Sequence, residues 1–290
     1  MEASQWRFFF TLCVSLVTLE SCRSEIMEIV ELWPEVEGDL TQVTWSHGTN
    51  SIAALTTALN DDTMMIEADV SLGFVLGQED RIVPIMAHPP AFISDLSLED
   101  FMDRVIQARN QGFKKGVKLD FKSTEVLQEA FRTLPSYENE INFPFWLNGD
   151  VSNGPKEVEP LKIVSGSELI QLAAEFFPKA TLSLGWVTSS HPADGNYFYT
   201  EEQIQELLDV MNTSGIGNQT VTFPIRTLFM ANSEAVLTSL LAQSKAQSAT
   251  LTMWGTDDID DTEAVKSVLN RIGRQRVYMD LPDDLADQLS

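Results

Sequence analysis

The chain has 290 residues, 43% of them hydrophobic, and carries a formal net charge of −24 from 43 acidic and 19 basic residues. A surface of that sign repels nucleic acid and anionic membranes, so neither is expected as a partner. The length suits one α/β barrel of about 250 residues, and the apolar content suffices for a full core without staples.

In chain order, the first element is an apolar run from Phe8 to Leu19 behind Arg7. It is about a dozen residues long, which fits a signal-peptide core and falls short of the ~20 residues that span a bilayer. Residues 1–24 are therefore expected to be a secretory signal peptide, with 25–290 as a single domain; a hydrophobic N-terminal helix is the competing reading. Cys13 and Cys22 lie in or beside this leader, so cleavage near Cys22 to Ser24 leaves a chain with no disulfide. Two sequons, Asn212-Thr213-Ser214 and Asn218-Gln219-Thr220, accord with a secreted glycoprotein.

After an acidic amphipathic segment at 25–40, expected to close the barrel bottom, strand-like and helical runs alternate. The strands are predicted at 41–47, 64–70, 116–122, 143–148, 180–186, 219–226, 249–254 and 276–280. Helical periods fall between them at 50–60, 97–111, 124–134, 166–177, 200–212, 233–245 and 260–272. Ser97, Ser165 and Thr200 stand where N-caps belong, and Glu201-Glu202 suits the positive end of a helix dipole. Alternation of this kind predicts βα units, and eight strands predict a closed (β/α)8 TIM barrel. The stretch 71–96 exceeds a normal βα loop; Ile82 to Met86 reads as a hairpin arm leading to His88.

The chemistry-bearing residues fall at strand ends, where a parallel barrel gathers its catalytic groups. Glu67 and Asp69 are two apart on a strand and so share a face; Asp120 follows on the next parallel strand. Side-by-side carboxylates call for a positive partner, and Mg²⁺ or Ca²⁺ prefers oxygen ligands. Lys118 and Lys122 share the face of Asp120, where an ammonium can grip a phosphate oxygen; solvated charges or a structural ion pair compete with this reading. His47 ends the first strand before Gly48, and His88 precedes Pro89-Pro90. Imidazole titrates near neutrality, so two of them can serve as acid and base. His191, in a turn-like stretch, is left unassigned. Asn148, Trp186, Arg226, Trp254 and Asp280 close later strands. Of these, Asn148, Trp186, Arg226 and Trp254 join Lys118 as substrate-binding candidates, with packing competing for the tryptophans and ion pairing for Arg226.

Met65-Ile66-Glu67-Ala68-Asp69-Val70, Pro84-Ile85-Met86-Ala87-His88 and Asp120-Phe121-Lys122 resemble the glycerophosphodiester phosphodiesterase superfamily. Together with Gly116 to Ser123, Ser183-Leu184-Gly185-Trp186 and Val221-Thr222-Phe223-Pro224, they resemble the menorin family over about residues 40 to 280. The resemblance implies a phospholipase-like barrel. It implies Glu67, Asp69 and Asp120 as metal ligands, His47 and His88 as the acid–base pair, and Lys122 on the phosphate. The expected function is a secreted, metal-dependent phosphodiesterase acting on glycerophosphodiesters or lysophospholipids, either by water or by a neighbouring alcohol. The family also implies an extracellular setting, with some relatives in complexes with cell-surface adhesion proteins. A non-catalytic role of that kind is the alternative. Two departures bear on the substrate: His47 is followed directly by Gly48, where the superfamily often has Arg, and His88 by Pro89, where it often has Asp.

Overall fold

Strand after strand carries apolar side chains at every second position, and the barrel follows from where those side chains go. The computed structural model describes residues 29–290 apart from 156–162, 190, 193–196, 217–218, 247, 257–258 and 260. The leader, both cysteines and Asn218 lie outside the described residues. Eight parallel strands form a nearly closed barrel: β1 (Trp45–Ser46), β2 (Met65–Val75), β5 (Gly116–Phe121), β6 (Phe145–Asn153), β7 (Thr181–Val187), β8 (Thr220–Arg226), β9 (Ser248–Trp254) and β10 (Val277–Asp280). Two further strands, β3 (Gln78–Met86) and β4 (Ile93–Ser94), pair with the overhanging end of β2. The predicted hairpin arm is thus real and longer than expected.

The connecting helices are α1 (Ile52–Asn60), α2 (Leu98–Asn110), α3 (Thr124–Ala130), α4 (Gly166–Phe176), α5 (Glu201–Ser214), α6 (Thr227–Met230), α7 (Glu234–Gln243), α8 (Thr262–Ile272) and α9 (Asp283–Leu289). Their starts are chemically marked. The Ser97 hydroxyl accepts from the Asp100 N–H at 3.1 Å, and Thr200 and Gln203 form a reciprocal capping box. Among the described residues no helix is long and apolar enough to cross a membrane.

Outward-facing side chains such as Val117, Leu119 and Phe121 of β5, or Leu182 and Leu184 of β7, are buried against the helices and form the main core. Facing inward, the barrel has an aromatic floor. Trp45, Trp146 and Tyr278 meet edge to face, with centroids 5.2 Å (Trp45–Trp146) and 4.8 Å (Trp146–Tyr278) apart. Ile29, Trp33, Val36, Leu40 and Val43 seal this floor from below, as expected of the N-terminal segment. Above the floor the interior turns polar, with Thr181 on Thr220 at 2.8 Å and Thr222 on Thr252 at 2.7 Å.

The first strand departs from expectation. Of the stretch 41–47, only Trp45–Ser46 is strand, and Leu40–Gln42 is a 3₁₀ turn. Asp39 causes this by accepting from the Thr41 N–H at 3.1 Å, and Arg274 holds that carboxylate at 2.9 Å. A side chain that satisfies backbone donors locally competes with sheet pairing.

Candidate active site at the barrel mouth

A cavity of about 340 Å³ opens at the C-terminal ends of the barrel strands. Of the site residues expected from sequence, all but Trp186 line it. The reason is the two-residue period of a strand, which turns Glu67 and Asp69, then Lys118, Asp120 and Lys122, to the inside together.

Asp120 sits opposite Asp69 in the β2–β5 register. One oxygen each from Glu67, Asp69 and Asp120 lies within 4.8 Å of the others. Lys122 answers this concentration of charge, with Nζ 2.7 Å from Asp69 Oδ1 and 2.5 Å from Asp120 Oδ2. Neutral amides fix the remaining lone pairs. Asn148 donates to Asp120 Oδ1 at 2.6 Å and accepts from the Ser183 hydroxyl at 2.5 Å. Asn50 donates to Asp69 Oδ2 at 2.6 Å while its own Oδ1 accepts from the Asp69 N–H at 2.9 Å.

Burial drives the carboxyls of Glu67, Asp120 and Asp150 toward their neutral form, and neighbouring cations oppose it to different extents. At Asp120, burial is outweighed by Lys122 and Lys118, which hold the pKa below its ordinary 3.8. At Glu67, burial prevails: the pKa rises to about 7, with Asp69 adding to the rise and His47 and Lys118 opposing it. Asp150 is likewise pushed up to about 7 by burial and by Asp120. Burial works against the Lys122 ammonium, yet Asp120 and Asp69 carry its pKa well above the usual range.

Gly48 has φ of 65°, a conformation that side-chain-bearing residues rarely adopt, and it aims its N–H at Glu67 Oε2, 2.7 Å away. The turn places His47 Nδ1 3.0 Å from Asp280 Oδ1 and 3.5 Å from Glu67 Oε2. Asp280 is buried on the last strand, and its other oxygen takes Lys118 Nζ at 3.1 Å. Burial disfavours a charged ring at His47, but Asp280 and then Glu67 outweigh it, and the pKa climbs from 6.5 to about 9. The ring is half exposed, so water screens part of that attraction. Near neutrality His47 is an imidazolium that donates Nδ1–H to Asp280 and presents Nε2–H to the cavity.

A pH dependence of stability follows. The folded pKa of His47 lies above the unfolded one, so its contribution is complete below pH 6.5 and is lost as pH rises through about 9. In chelator, the thermal midpoint of the wild type is expected to fall relative to His47→Asn between about pH 6 and about pH 10. Parallel curves would show that the ring gains no charge-dependent stabilisation.

His88 arrives by the return arm, where the Ala87 N–H donates to the Asp69 carbonyl at 2.9 Å. Its Nδ1 lies 2.7 Å from the Pro89 carbonyl oxygen. A carbonyl only accepts, so Nδ1 carries a hydrogen and Nε2 is the ring nitrogen at which a lone pair can stand.

Lys118 lines the cavity floor, its charge directed to Asp280 and its Nζ 5.6 Å from the Trp45 ring centroid. Arg226 and Trp254 line the far wall, with the guanidinium 4.6 Å from the indole centroid. Trp186 is a correction: it is buried outside the barrel against Tyr199, ring centroids 4.9 Å apart, and donates to the Gln203 carbonyl at 3.1 Å. The inner face of β7 belongs to Ser183, Gly185 and Val187, so position 186 faces the helices. The alternation Leu182, Leu184, Trp186 already carried that signal. Asn50 stands in an informative segment of the sequence but was given no role, and Asp150 went unnoticed, although it lies two residues beyond Asn148 on one strand. Asp280 was noted only as a strand end, and no local pattern identifies its partners.

An α/β barrel with an acidic, histidine-bearing mouth is the class that fold and site define. Within that class, this chain belongs to the menorin family: the profile described as Menorin N-terminal domain matches residues 39–286. The chain is similar to Protein FAM151B of Homo sapiens, 32% identical over 244 residues, which is 84% of this chain and 83% of that protein.

Proposed function

We propose that the chain is a secreted, metal-assisted phosphodiesterase that cleaves glycerophosphodiesters or lysophospholipids at the barrel mouth. The observation that carries the reading is the meeting of three carboxylates, Lys122 and two imidazoles, one held by Asp280 and the other by the Pro89 carbonyl, in one cavity. The donor set fits a hard divalent cation, since Glu67, Asp69 and Asp120 offer only oxygen, as Mg²⁺ and Ca²⁺ prefer. The ammonium of Lys122 between Asp69 and Asp120 marks the same place as one that demands positive charge. These three acids would hold the ion; when bound, it supplies Lewis-acid stabilisation of charge on the phosphoryl oxygens.

The chain's own groups do the rest. Lys122 offers a second positive charge to a phosphoryl oxygen. His88 Nε2 takes the proton of the attacking hydroxyl, which is water or a neighbouring alcohol of the substrate. The bond from phosphorus to the leaving oxygen breaks, and that oxygen takes the Nε2 proton of His47. Attack by the neighbour yields a cyclic phosphate. The apolar run Phe8 to Leu19 supports the secreted setting.

The test is a panel of glycerophosphodiesters and lysophospholipids with Mg²⁺ or Ca²⁺, repeated with chelator. Turnover of at least one member, lost with chelator, is the expected result. A silent panel, together with calorimetric cation binding unchanged in Glu67→Gln, would refute the reading and favour a non-catalytic role in cell-surface adhesion complexes.

A further inference from the structure

Each of the three clustered acids gives up one oxygen to an N–H of the scaffold. Gly48 donates its backbone N–H to Glu67 Oε2 at 2.7 Å. Asn50 donates from Nδ2 to Asp69 Oδ2 at 2.6 Å, and Asn148 donates from Nδ2 to Asp120 Oδ1 at 2.6 Å. The orientation of each amide is set by what its partners can do. The Asp69 N–H only donates, so Asn50 turns its Oδ1 to the backbone and its Nδ2 to the carboxylate. A charged carboxylate only accepts, so Nδ2 of Asn148 faces Asp120 while its Oδ1 takes the Ser183 hydroxyl.

Both amides are themselves held. The Asn50 N–H donates to the Gly48 carbonyl at 2.8 Å, and its carbonyl accepts from the Ser94 hydroxyl of β4 at 3.2 Å. Ser51, the next residue, caps α1. Ser183, the support of Asn148, is fully buried on β7. The oxygens left over are Glu67 Oε1, Asp69 Oδ1 and Asp120 Oδ2. Lys122 Nζ stands 2.7 Å from the second and 2.5 Å from the third, so these are the oxygens turned toward positive charge.

A carboxylate with one oxygen fixed on an N–H offers a cation its other oxygen and cannot chelate with both. That restriction separates the two hard cations. Ca²⁺ gathers about 6–8 oxygens and takes carboxylates by one oxygen or by both, whereas Mg²⁺ demands a tight octahedron of about six and keeps several waters in it. We infer that Asn50 and Asn148 are positioning residues that hold Asp69 and Asp120 to one free oxygen each, and so tune the mouth to a small octahedral cation against a large one. The assignment rests on the metal-assisted reading and adds to it the groups that set the ion's identity.

The test is calorimetric titration of the metal-free chain with MgCl₂ and with CaCl₂, for the wild type, Asn50→Ala and Asn148→Ala. The wild type is expected to bind Mg²⁺ at least as tightly as Ca²⁺. Each variant is expected to lose about tenfold in Mg²⁺ affinity, the lower end for a group that orients a ligand, and to lose little for Ca²⁺. The ratio of Ca²⁺ to Mg²⁺ affinity then rises about tenfold. A brace for the loop after β1 is the competing role of Asn50. It predicts a lower thermal midpoint in chelator with both cations affected alike, and that result, or a wild type that prefers Ca²⁺, overturns the assignment while leaving the metal site standing. A wild type that binds neither cation overturns the assignment and the metal-assisted reading together. The expected shift in ratio without turnover of any diester upholds the assignment and removes the hydrolysis. Should Asn50→Ala fail to fold, the wild-type preference and Asn148→Ala decide.

Discussion

Alanine at His47 or at His88 is expected to lower kcat/KM for an alkyl diester by about 10²–10⁴ each, the usual worth of a positioned acid or base. The geometry makes the two losses distinguishable. Asp280 holds His47 Nδ1, so in the proposed mechanism the proton for the leaving oxygen comes from Nε2. The Pro89 carbonyl engages His88 Nδ1, so in the same mechanism Nε2 is the nitrogen that receives the proton of the nucleophile. A nitrophenolate leaving group needs no proton. His47→Ala is therefore expected to recover most of its deficit on a nitrophenyl diester, while His88→Ala stays slow on both substrates. The double variant should lose less than the product of the single losses, because both groups act in one transition state. His88 is exposed, and among the described residues its ring bonds only its neighbour's carbonyl, so its removal should hardly move the thermal midpoint. Reversed leaving-group behaviour would exchange the roles, and unaltered rates in both variants would remove the mechanism.

The second large effect is structural. Asp280 is buried between the His47 ring and the Lys118 ammonium, and both ion-pair partners reach it directly. Burial pushes its pKa up, but Lys118 and His47 more than reverse this and keep it charged. Lys118 is itself nearly inaccessible, its side chain 4% exposed, so asparagine at 280 strands a cation in the barrel. The cost of breaking such a pair from one side is about 3–5 kcal/mol, read as a lower urea midpoint. Pairing Asp280→Asn with Lys118→Met removes the stranded charge and should return much of the loss, a coupling that a double-mutant cycle isolates. Equal midpoints for the wild type and Asp280→Asn would show that Lys118 finds sufficient compensation in Glu67 and Asp120.

Much of this was legible in the residues. Helices capped by Ser97, Ser165 and Thr200, and strands with acids at alternating positions, follow from interactions that span a few residues. The convergence of Glu67, Asp69 and Asp120 followed from strand period and parallel topology, and the register of β2 on β5 bears it out. Where a side chain competed with the backbone, as Asp39 does with the first strand, the boundary moved. At Trp186 the pattern was present, and the parity of the strand decides against a place in the mouth.

The sequence by itself determined the alternation of strand and helix, the barrel class and the identity of the acids, imidazoles and lysine at the strand ends. Those are local properties, set by side-chain period and by the few residues around each cap. Tertiary structure alone decided which groups touch. His47 meets Asp280 across 233 positions, and Lys118 meets the same carboxyl across 162. Only the near-closure of the barrel brings the last strand beside the first, and charge interactions fall off over ångströms, whatever the separation along the chain. The charge state of each buried group is therefore a property of the folded barrel.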